Sequence, residues 1–210
     1  MKRIRTFLQN PPLAGFFMAA CLALAAGGGG GSGVVSPEPV TVDLDGDSSP
    51  AGYGVAVTPL ERIRAMRPQW QVVDHAANGT RLKDLMPGFA TAPRTGRYVV
   101  MQPGFVDAYR ATEGYELDLR AAIDQVQREG RVPVLTGIVG TPSPPPLAAQ
   151  YNAITHSLAR EYGLQHAGWG EDYRDGDTVP DGIHRTQEAS DRLTALLVAA
   201  IDRAAEQKQR

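Results

Sequence analysis

The sequence predicts an α/β fold in which a parallel sheet of five strands is covered by helices on both faces. Short β-branched or apolar runs alternate with helix-forming segments from about residue 40 onward, a pattern typical of parallel strands joined by helical crossovers. The run from Val132 to Val139 is apolar at successive positions, which indicates a strand buried between helices. Polar residues follow several of the strands, and ligands bind beyond the carboxyl ends of the strands in such sheets.

The first half of the domain contains three predicted strands and two predicted helices. The strands are expected at Val40–Leu44, Gln71–Asp74 and Arg97–Gln102. A helix is expected from Pro59 to Arg67, because Thr58 can cap its start and proline is favoured at the first helical position. A second, shorter helix is expected from Leu82 to Met86.

The second half of the domain begins with the clearest helical pattern. Apolar residues fall on one helix face at Tyr115, Leu119, Ala122, Ile123 and Val126. Gly130 stands where a helix C-terminal cap is expected. Strands are predicted at Val132–Val139 and Leu164–Trp169, on either side of a helix that contains Tyr151, Ile154 and Leu158. The last helix carries its apolar residues at Leu193, Leu196, Leu197, Ala200 and Ile201.

The N-terminal segment is predicted to direct export. Residues 1–26 combine basic residues with a short apolar stretch, residues 27–39 form a Gly-rich linker, and residues 40–206 form the folded domain. A signal peptidase could cut after Ala25. Alternatively, the residues that end at Cys21 resemble a bacterial lipobox. We therefore expect a periplasmic or extracellular protein, either freely secreted or tethered to a bacterial membrane through a lipidated Cys21.

Composition narrows the classes of partner and cofactor. The net charge is −2, so no basic field indicates a nucleic-acid partner. Cys21 is the only cysteine, which excludes intrachain disulfides and thiolate metal sites within the domain. The histidines His75, His156 and His166 show no metal-ligand spacing, and no glycine-rich phosphate loop follows a predicted strand. The sequence predicts neither a metal nor an organic cofactor.

Two short motifs contain residue types suited to nucleophilic catalysis. Ser48 follows the first predicted strand in a Gly-Asp-Ser turn, and a serine hydroxyl becomes a nucleophile when a base removes its proton. His184 is the best candidate base. It precedes the last helix, and Asp181 stands three residues before it, close enough to orient the imidazole. Each motif alone is common in turns and loops. Their positions, after the first predicted strand and before the last helix, strengthen the interpretation that they form a catalytic site.

These motifs resemble the conserved blocks of the SGNH hydrolases, which are also called GDSL esterases and lipases. The run from Val42 to Ser48 is similar to their nucleophile block. Asn78-Gly79 is similar to the second block, and Val99–Asp107 to the third. Asp181-Gly182-Ile183-His184 is similar to the fifth block. The resemblance extends over roughly residues 40 to 203, which is nearly the whole predicted domain.

The resemblance implies a three-layer α/β/α sandwich of flavodoxin-like strand order and hydrolysis of an acyl ester through an acyl-enzyme. Ser48 would be the nucleophile, His184 the base and later the acid, and Asp181 the residue that orients His184. The backbone N–H groups of Ser48 and Gly79 would form the oxyanion hole. No metal would be needed. The substrate would be a small-molecule or lipid acyl ester, with O-acetyl esters and thioesters also compatible.

One position departs from the family pattern. The third block of the family contains an asparagine whose side chain is a further oxyanion donor, and this chain has Val106 there. Loss of one such donor typically costs about 10²–10³ in rate. The sequence leaves open whether another group replaces this donor, whether backbone donors suffice, or whether the activity is weak. Gln102 and Asn78 are polar and lie nearby in sequence.

Two other functions are compatible with parts of the sequence. Asp43-Leu44-Asp45-Gly46 resembles the first motif of the haloacid dehalogenase-like phosphatases, with Asp43 as nucleophile, Asp45 as acid/base and Mg²⁺ as cofactor. Gly176-Asp177, together with Asp181, could supply that family's acidic metal motif. Asp47 stands where the family has threonine, and the expected phosphate-binding lysine is missing unless Arg160 replaces it. The second alternative is a catalytically weak SGNH domain that binds acyl or glycan ligands without turnover.

Overall fold

The computed structural model describes residues 39–91, 94–102 and 104–207, apart from the side chains of residues 89 and 90. The predicted export signal and all but the last residue of the predicted linker lie outside the described residues. Five parallel strands form one sheet: β1 (Thr41–Gly46), β2 (Gln71–Asp74), β3 (Tyr98–Gln102), β4 (Val132–Leu135) and β5 (Gln165–His166). Their order is β2-β1-β3-β4-β5, the flavodoxin-like order that the family resemblance implied.

Six helices are described: α1 (Pro59–Met66), α2 (Leu82–Thr91), α3 (Phe105–Tyr109), α4 (Tyr115–Arg128), α5 (Ala148–Tyr162) and α6 (Gln187–Gln207). Helix α1 packs against α6, whereas α4 packs against α2 and α5. These two groups of helices lie on opposite faces of the sheet, which gives the three layers expected from the sequence. Within the described residues, no helix has both the length and the apolar character that a membrane span requires.

Strand β1 lies at the centre of this arrangement. It pairs with β2 along one edge and with β3 along the other. The chain passes from β1 to β2 in one direction across the sheet and then returns to β3 on the far side of β1. The carboxyl end of β1 is therefore the topological switch point, where α/β sheets bind ligands.

The start of helix α1 follows the predicted capping chemistry. The hydroxyl of Thr58 accepts the backbone N–H of Glu61 at 3.2 Å, and the carboxylate of Glu61 accepts the backbone N–H of Thr58 at 2.8 Å. Pro59 occupies the first helical position. This reciprocal capping box satisfies two N–H groups that a helix start would otherwise leave unpaired.

Several predicted boundaries differ from the structure. Strand β4 ends at Leu135 instead of Val139, because its partner β5 has only two paired residues, fewer than the predicted Leu164–Trp169. Residues 136–139 stay buried beyond the end of the strand, so their apolar pattern indicated burial correctly and strand length wrongly. Helix α2 continues through Pro87 to Thr91. The short helix α3 lies where no helix was predicted.

Candidate functional site

The turn after β1 places Ser48 at the carboxyl end of the sheet. The N–H of Tyr53 donates to the carbonyl of Ser48 at 3.0 Å, which closes the turn. The carboxylate of Asp47 accepts the N–H of Ser49 at 2.9 Å, a local hydrogen bond of the Asx type. Ser48 itself is partly exposed. The turn therefore holds its backbone firmly while leaving its side chain open to the surface.

Buried polar groups support this turn from below. The backbone N–H of Asp47 donates to Oε1 of Gln102 at 3.2 Å, and both side chains are almost fully buried. Gly46 must be glycine here, because a β-carbon would lie 2.5 Å from Cγ of Pro50 and 2.7 Å from the carbonyl oxygen of Gln102. Gln102 therefore lies beneath the turn and does not line the pocket beside Ser48.

Two carboxyl groups are buried in the same region. Burial raises the pKa of Asp47 to about 6, and burial also raises the pKa of Asp107. Asp107 accepts the backbone N–H of Leu82 at 3.0 Å through one oxygen. The other oxygen of each carboxyl group has no hydrogen-bond partner among the described residues. Desolvation therefore makes both groups harder to ionise than exposed aspartates.

Asp181 and His184 form a closely coupled pair in the loop before α6. Nδ1 of His184 lies 2.6 Å from Oδ2 of Asp181. The other oxygen of Asp181 accepts the backbone N–H groups of Ile183 at 2.8 Å and His184 at 2.9 Å. The hydrogen bond from the His184 side chain, together with these backbone hydrogen bonds, lowers the pKa of Asp181 to about 2. Asp181 is therefore ionised throughout the neutral range.

This contact defines the useful tautomer of His184. An ionised carboxylate only accepts hydrogen bonds, so Nδ1 of His184 carries the proton and Nε2 presents a lone pair. Nε2 has no hydrogen-bond partner among the described residues, and no hydrogen bond joins it to the hydroxyl of Ser48. Nucleophile–base contacts are often long in the absence of substrate. The contact between Asp181 and His184 in the predicted triad is thus formed. Ser48 and His184 line one pocket without a hydrogen bond between them.

A short antiparallel bridge anchors the loop that carries this pair. Thr178 pairs with Arg185, and the N–H of Val179 donates to the carbonyl of His184 at 2.9 Å. The guanidinium of Arg185 donates to the carbonyl oxygens of Gly140 and Ile183, each at 2.6 Å. The loop is therefore attached to the segment that follows β4, which keeps His184 beside the sheet end.

A surface pocket of about 350 Å³ brings the separate motifs together. Its lining residues come from the turn after β1, the segment after β2, helix α3 and the loop before α6: Ser48, Tyr53, Asn78, Gly79, Phe105, Val106, Tyr109, Arg110, Ile183 and His184. The volume falls within the range of small-molecule sites. Four segments that are distant in sequence therefore share one concave surface at the switch point.

Two unused backbone donors lie at this pocket. Neither the N–H of Ser48 nor the N–H of Gly79 donates a hydrogen bond to any described residue. Gly79 has a φ of +74°, and a β-carbon there would meet nothing within 4 Å. Open space therefore surrounds Gly79. The two backbone groups predicted to form an oxyanion hole are free to bind an oxygen atom.

The structure also distinguishes Asn78 from Gln102, the two amide side chains that could supply a third oxyanion donor. Val106 lines the pocket, at the position where the family pattern has asparagine. Asn78 lines the same pocket, and its amide makes no hydrogen bond to any described residue. Gln102 is fully buried away from it. Asn78 is therefore the amide side chain that is available to a ligand in this pocket.

Sequence reasoning overlooked two pocket residues. The ring of Tyr53 packs on the imidazole of His184, with centroids 4.2 Å apart and planes tilted by 39°. Arg110, the C-cap residue of α3, also lines the pocket. Neither residue belongs to a motif or to a periodic pattern. Only the folding of the chain brings them to Ser48.

A second cluster of titratable groups lies outside this pocket. His156, His166 and Glu171 approach closely enough to share a cation, although their spacing in sequence gave no such indication. The two imidazole rings are in contact, with centroids 3.9 Å apart and planes tilted by 31°. Nδ1 of His166 accepts the N–H of Gly168 at 3.0 Å, so the proton of the neutral ring occupies Nε2. With this tautomer, Nε2 of His166 has no lone pair for a metal ion, and Nδ1 is already engaged by Gly168.

The geometry does not fit the phosphatase alternative. Asp43, which that alternative requires as nucleophile, is fully buried and accepts the backbone N–H groups of Thr95 at 2.9 Å and Gly96 at 3.0 Å. Asp177, from its proposed acidic metal motif, is buried against Arg192 at 2.5 Å. Carboxylates engaged in this way are not open to a phosphate or to Mg²⁺.

Comparison with solved structures identifies the fold. The TesA structure matches with a TM-score of 0.63 and 21% identity, covering 77% of this chain and 97% of that one. A lipase/acylhydrolase from Enterococcus faecalis matches with a TM-score of 0.69 and 16% identity, covering 80% and 96%. An acetyl xylan esterase (Axe2-W215I) from Geobacillus stearothermophilus matches with a TM-score of 0.64 and 14% identity, covering 77% and 94%.

These structures, together with a lipolytic G-D-S-L family protein from Veillonella parvula, share the SGNH hydrolase fold. The described part of this chain has that fold, which confirms the structural expectation drawn from the motifs. No protein-family model and no curated protein matches the sequence.

Proposed function

We propose that this chain is a divergent SGNH hydrolase that cleaves acyl esters through Ser48, His184 and Asp181. One observation supports this proposal above the others. Ser48 and His184 line the same pocket as two free backbone N–H groups. Asp181 is hydrogen-bonded to Nδ1 of His184, which leaves Nε2 to act as the base. Nucleophile, base, orienting carboxylate and oxyanion donors are the parts that acyl transfer requires.

The first half of the reaction forms an acyl-enzyme. Nε2 of His184 takes the proton from Oγ of Ser48 as that oxygen attacks the ester carbonyl carbon. Asp181 stabilises the resulting imidazolium without accepting its proton. The tetrahedral intermediate then collapses, the bond to the alcohol oxygen breaks, and His184 donates its proton to that oxygen. The alcohol leaves, and the acyl group stays on Ser48.

The second half repeats this chemistry with water. His184 removes a proton from a water molecule, which attacks the acyl carbonyl. The new tetrahedral intermediate releases the carboxylic acid, and the proton returns from His184 to Oγ of Ser48. In both halves the negative charge develops on the former carbonyl oxygen. In this proposal, the N–H groups of Ser48 and Gly79 bind that oxygen. The amide of Asn78 is the third donor and replaces the asparagine that the family has at the position of Val106.

The pocket favours small acyl esters as substrates. Its aromatic and aliphatic walls suit an acyl chain or a small alcohol, and its size suits a small molecule. The proposed substrates include O-acetyl esters, thioesters and lipid esters. Export to the periplasm or the cell exterior, with or without a lipid on Cys21, is proposed from the sequence alone.

Replacement of Ser48 tests the mechanism. We expect the full-length chain to hydrolyse p-nitrophenyl acetate or butyrate, and Ser48→Ala to reduce turnover to the background rate. Ser49→Ala is the matched control, because it removes the adjacent hydroxyl from a residue that does not line the pocket. A fluorophosphonate probe should label the wild type and Ser49→Ala at Ser48. Equal turnover by Ser48→Ala and wild type would exclude the serine mechanism.

The same assay separates the competing functions. A phosphatase would release phosphate from p-nitrophenyl phosphate in a Mg²⁺-dependent manner, with Ser48→Ala fully active. A binding domain without turnover would retain ligand affinity in both variants and show no burst of p-nitrophenol. The esterase proposal requires turnover that survives metal chelation and depends on Ser48.

A further inference from the structure

Among the described residues that line the pocket, Arg110 alone carries a permanent charge. These residues include no aspartate or glutamate, and most of the others are aromatic or aliphatic. The guanidinium of Arg110 makes no hydrogen bond or ion pair to any described residue, and among the described arginines only Arg160 shares this property. Most described arginines bind a carboxylate or a carbonyl oxygen. The guanidinium of Arg110 is left available.

The backbone around Arg110 is fixed. Its N–H donates to the carbonyl of Val106 at 3.0 Å, and the N–H of Thr112 donates to the carbonyl of Asp107 at 2.9 Å. The carbonyl of Thr112 accepts the hydroxyl of Tyr151 at 2.6 Å. Between them, Ala111 has a φ of +48°, which is strained for a residue with a β-carbon. Strained residues persist where neighbouring contacts hold them, and they cluster at ligand sites.

The end of α3 places Arg110 near the reaction centre. Arg110 is the C-cap residue of α3 and lies four residues, about one turn, after Val106, and both residues line the pocket. One helical turn spans about 5.4 Å. A guanidinium presents its N–H donors in a planar fork that matches carboxylate and phosphate oxygens. No carboxylate is among the described lining residues, and the ionised Asp181 is hydrogen-bonded to Nδ1 of His184. An anion that enters the pocket therefore meets Arg110 as the permanent positive charge of the lining.

We propose that the ester substrate carries an anionic oxygen group, a carboxylate or a phosphate, which Arg110 binds a few bonds away from the carbonyl attacked by Ser48. This inference rests on the proposed function. It narrows the substrate class from acyl esters in general to acyl esters with a negatively charged acyl or alcohol portion. Arg110 determines specificity in this proposal and takes no part in bond breaking.

Matched substrate pairs test the charge preference. In the carboxylate arm, mono-(4-nitrophenyl) glutarate is compared with 4-nitrophenyl pentanoate. In the phosphate arm, butyryl-glycerol phosphate is compared with monobutyrin. We expect wild type to favour the anionic member of at least one pair in kcat/KM by about 10-fold or more, chiefly through KM. The arm that shows the preference identifies the anion.

The variants assign that preference to one residue. Arg110→Gln should reduce the ratio of anionic to neutral kcat/KM by about 10-fold, and Arg110→Lys should restore part of it. Arg160→Gln, which removes the other unpaired guanidinium, should retain the wild-type ratio. High salt should weaken the preference, because the site is open to solvent. A wild-type ratio that is unchanged in Arg110→Gln overturns the inference.

Failure of this inference differs from failure of the proposed function. If Ser48-dependent hydrolysis is present and the ratio ignores Arg110, only the charge preference is wrong. If no ester is cleaved, binding of glutarate and glycerol phosphate is measured by calorimetry, which needs no turnover. Tighter binding of either anion by wild type than by Arg110→Gln supports the anion site. Equal affinities reject it.

Discussion

Asp181 binds His184 twice, through the imidazole Nδ1 at 2.6 Å and through the backbone N–H at 2.9 Å. The two contacts use different oxygens of one carboxylate, so the position of the ring and the position of its backbone are coupled. The three-residue offset between these residues is what allows the loop to fold back on itself. The local sequence therefore provides both the base and the group that orients it.

We expect Asp181→Asn to reduce kcat by about 10²–10⁴, because asparagine keeps the size of the side chain but removes the charge that stabilises the imidazolium. KM should change little. The measurement is steady-state hydrolysis of p-nitrophenyl butyrate from pH 6 to 9. Asp175→Asn is the control, since Asp175 is an exposed aspartate of the preceding loop. A kcat within two-fold of wild type would show that Asp181 does not assist His184.

A second prediction concerns the third oxyanion donor. Asn78, in the segment after β2, and Val106, in α3, line the same pocket. If the Asn78 amide replaces the donor missing at Val106, Asn78→Ala should lower kcat by about 10–10³. Val106→Asn should restore much of that loss in the Asn78→Ala background, and should raise the rate of the wild type only slightly.

The double-mutant cycle distinguishes this substitution of donors from independent effects. If backbone donors alone suffice, Asn78→Ala has little effect and the cycle is additive. If the missing donor limits the natural enzyme, Val106→Asn raises kcat in the presence of Asn78 by as much as in its absence. Either result would contradict the role given to Asn78. Thr80→Ala controls for general disturbance of the segment, because Thr80 lies nearby outside the pocket lining.

A third prediction concerns metal dependence. Ester hydrolysis should persist after dialysis against EDTA and should gain nothing from added Mg²⁺ or Zn²⁺, because the proposed chemistry uses protein groups alone. His156→Ala is informative here, since it removes one member of the histidine cluster that lies outside the pocket. Loss of turnover on chelation that Zn²⁺ restores, in wild type but not in His156→Ala, would show that this cluster holds a functional metal.

Much of the fold could be predicted because each pattern depends on local physics. The N-cap at Thr58 and the glycine after α4 are set by the adjacent backbone, and both were predicted, whereas the part of Glu61 in the capping box was not. The positions of the strands followed from apolar runs. The length of β4 did not, because a strand ends where its partner ends, and the partner at Gln165–His166 lies far away in sequence.

The candidate site was predicted to the extent that it consists of motifs. Ser48, Gly79 and His184 follow strands or precede a helix, and parallel topology brings such positions to one edge. Tyr53 and Arg110 have no such signal, because they reach the pocket through turns whose geometry depends on tertiary contacts. The choice between Asn78 and Gln102 also required the structure, since Gln102 ends one predicted strand, Asn78 follows another, and only burial separates the two amides.

The buried carboxyl group of Asp47 leads to a prediction about stability and pH. Its pKa is about 6 in the folded state because of burial, against 3.8 for the free side chain. The folded protein therefore holds this proton more tightly than the unfolded chain does. As pH rises from about 4 to about 6, the free energy of unfolding should fall by an amount on the order of 2–3 kcal/mol from this group, and should then level off.

Asp47→Asn should remove that contribution, because asparagine keeps the oxygen that accepts the N–H of Ser49 and cannot ionise. Other groups titrate as well, including Asp45, whose pKa burial also raises to about 6. The informative quantity is thus the difference in unfolding free energy between variant and wild type, measured by urea denaturation at several pH values. The variant should gain relative stability as pH rises from 4 to 7, while exposed Asp175→Asn shows a constant difference. A constant difference for Asp47→Asn would mean that Asp47 ionises as easily in the folded protein as in the unfolded chain.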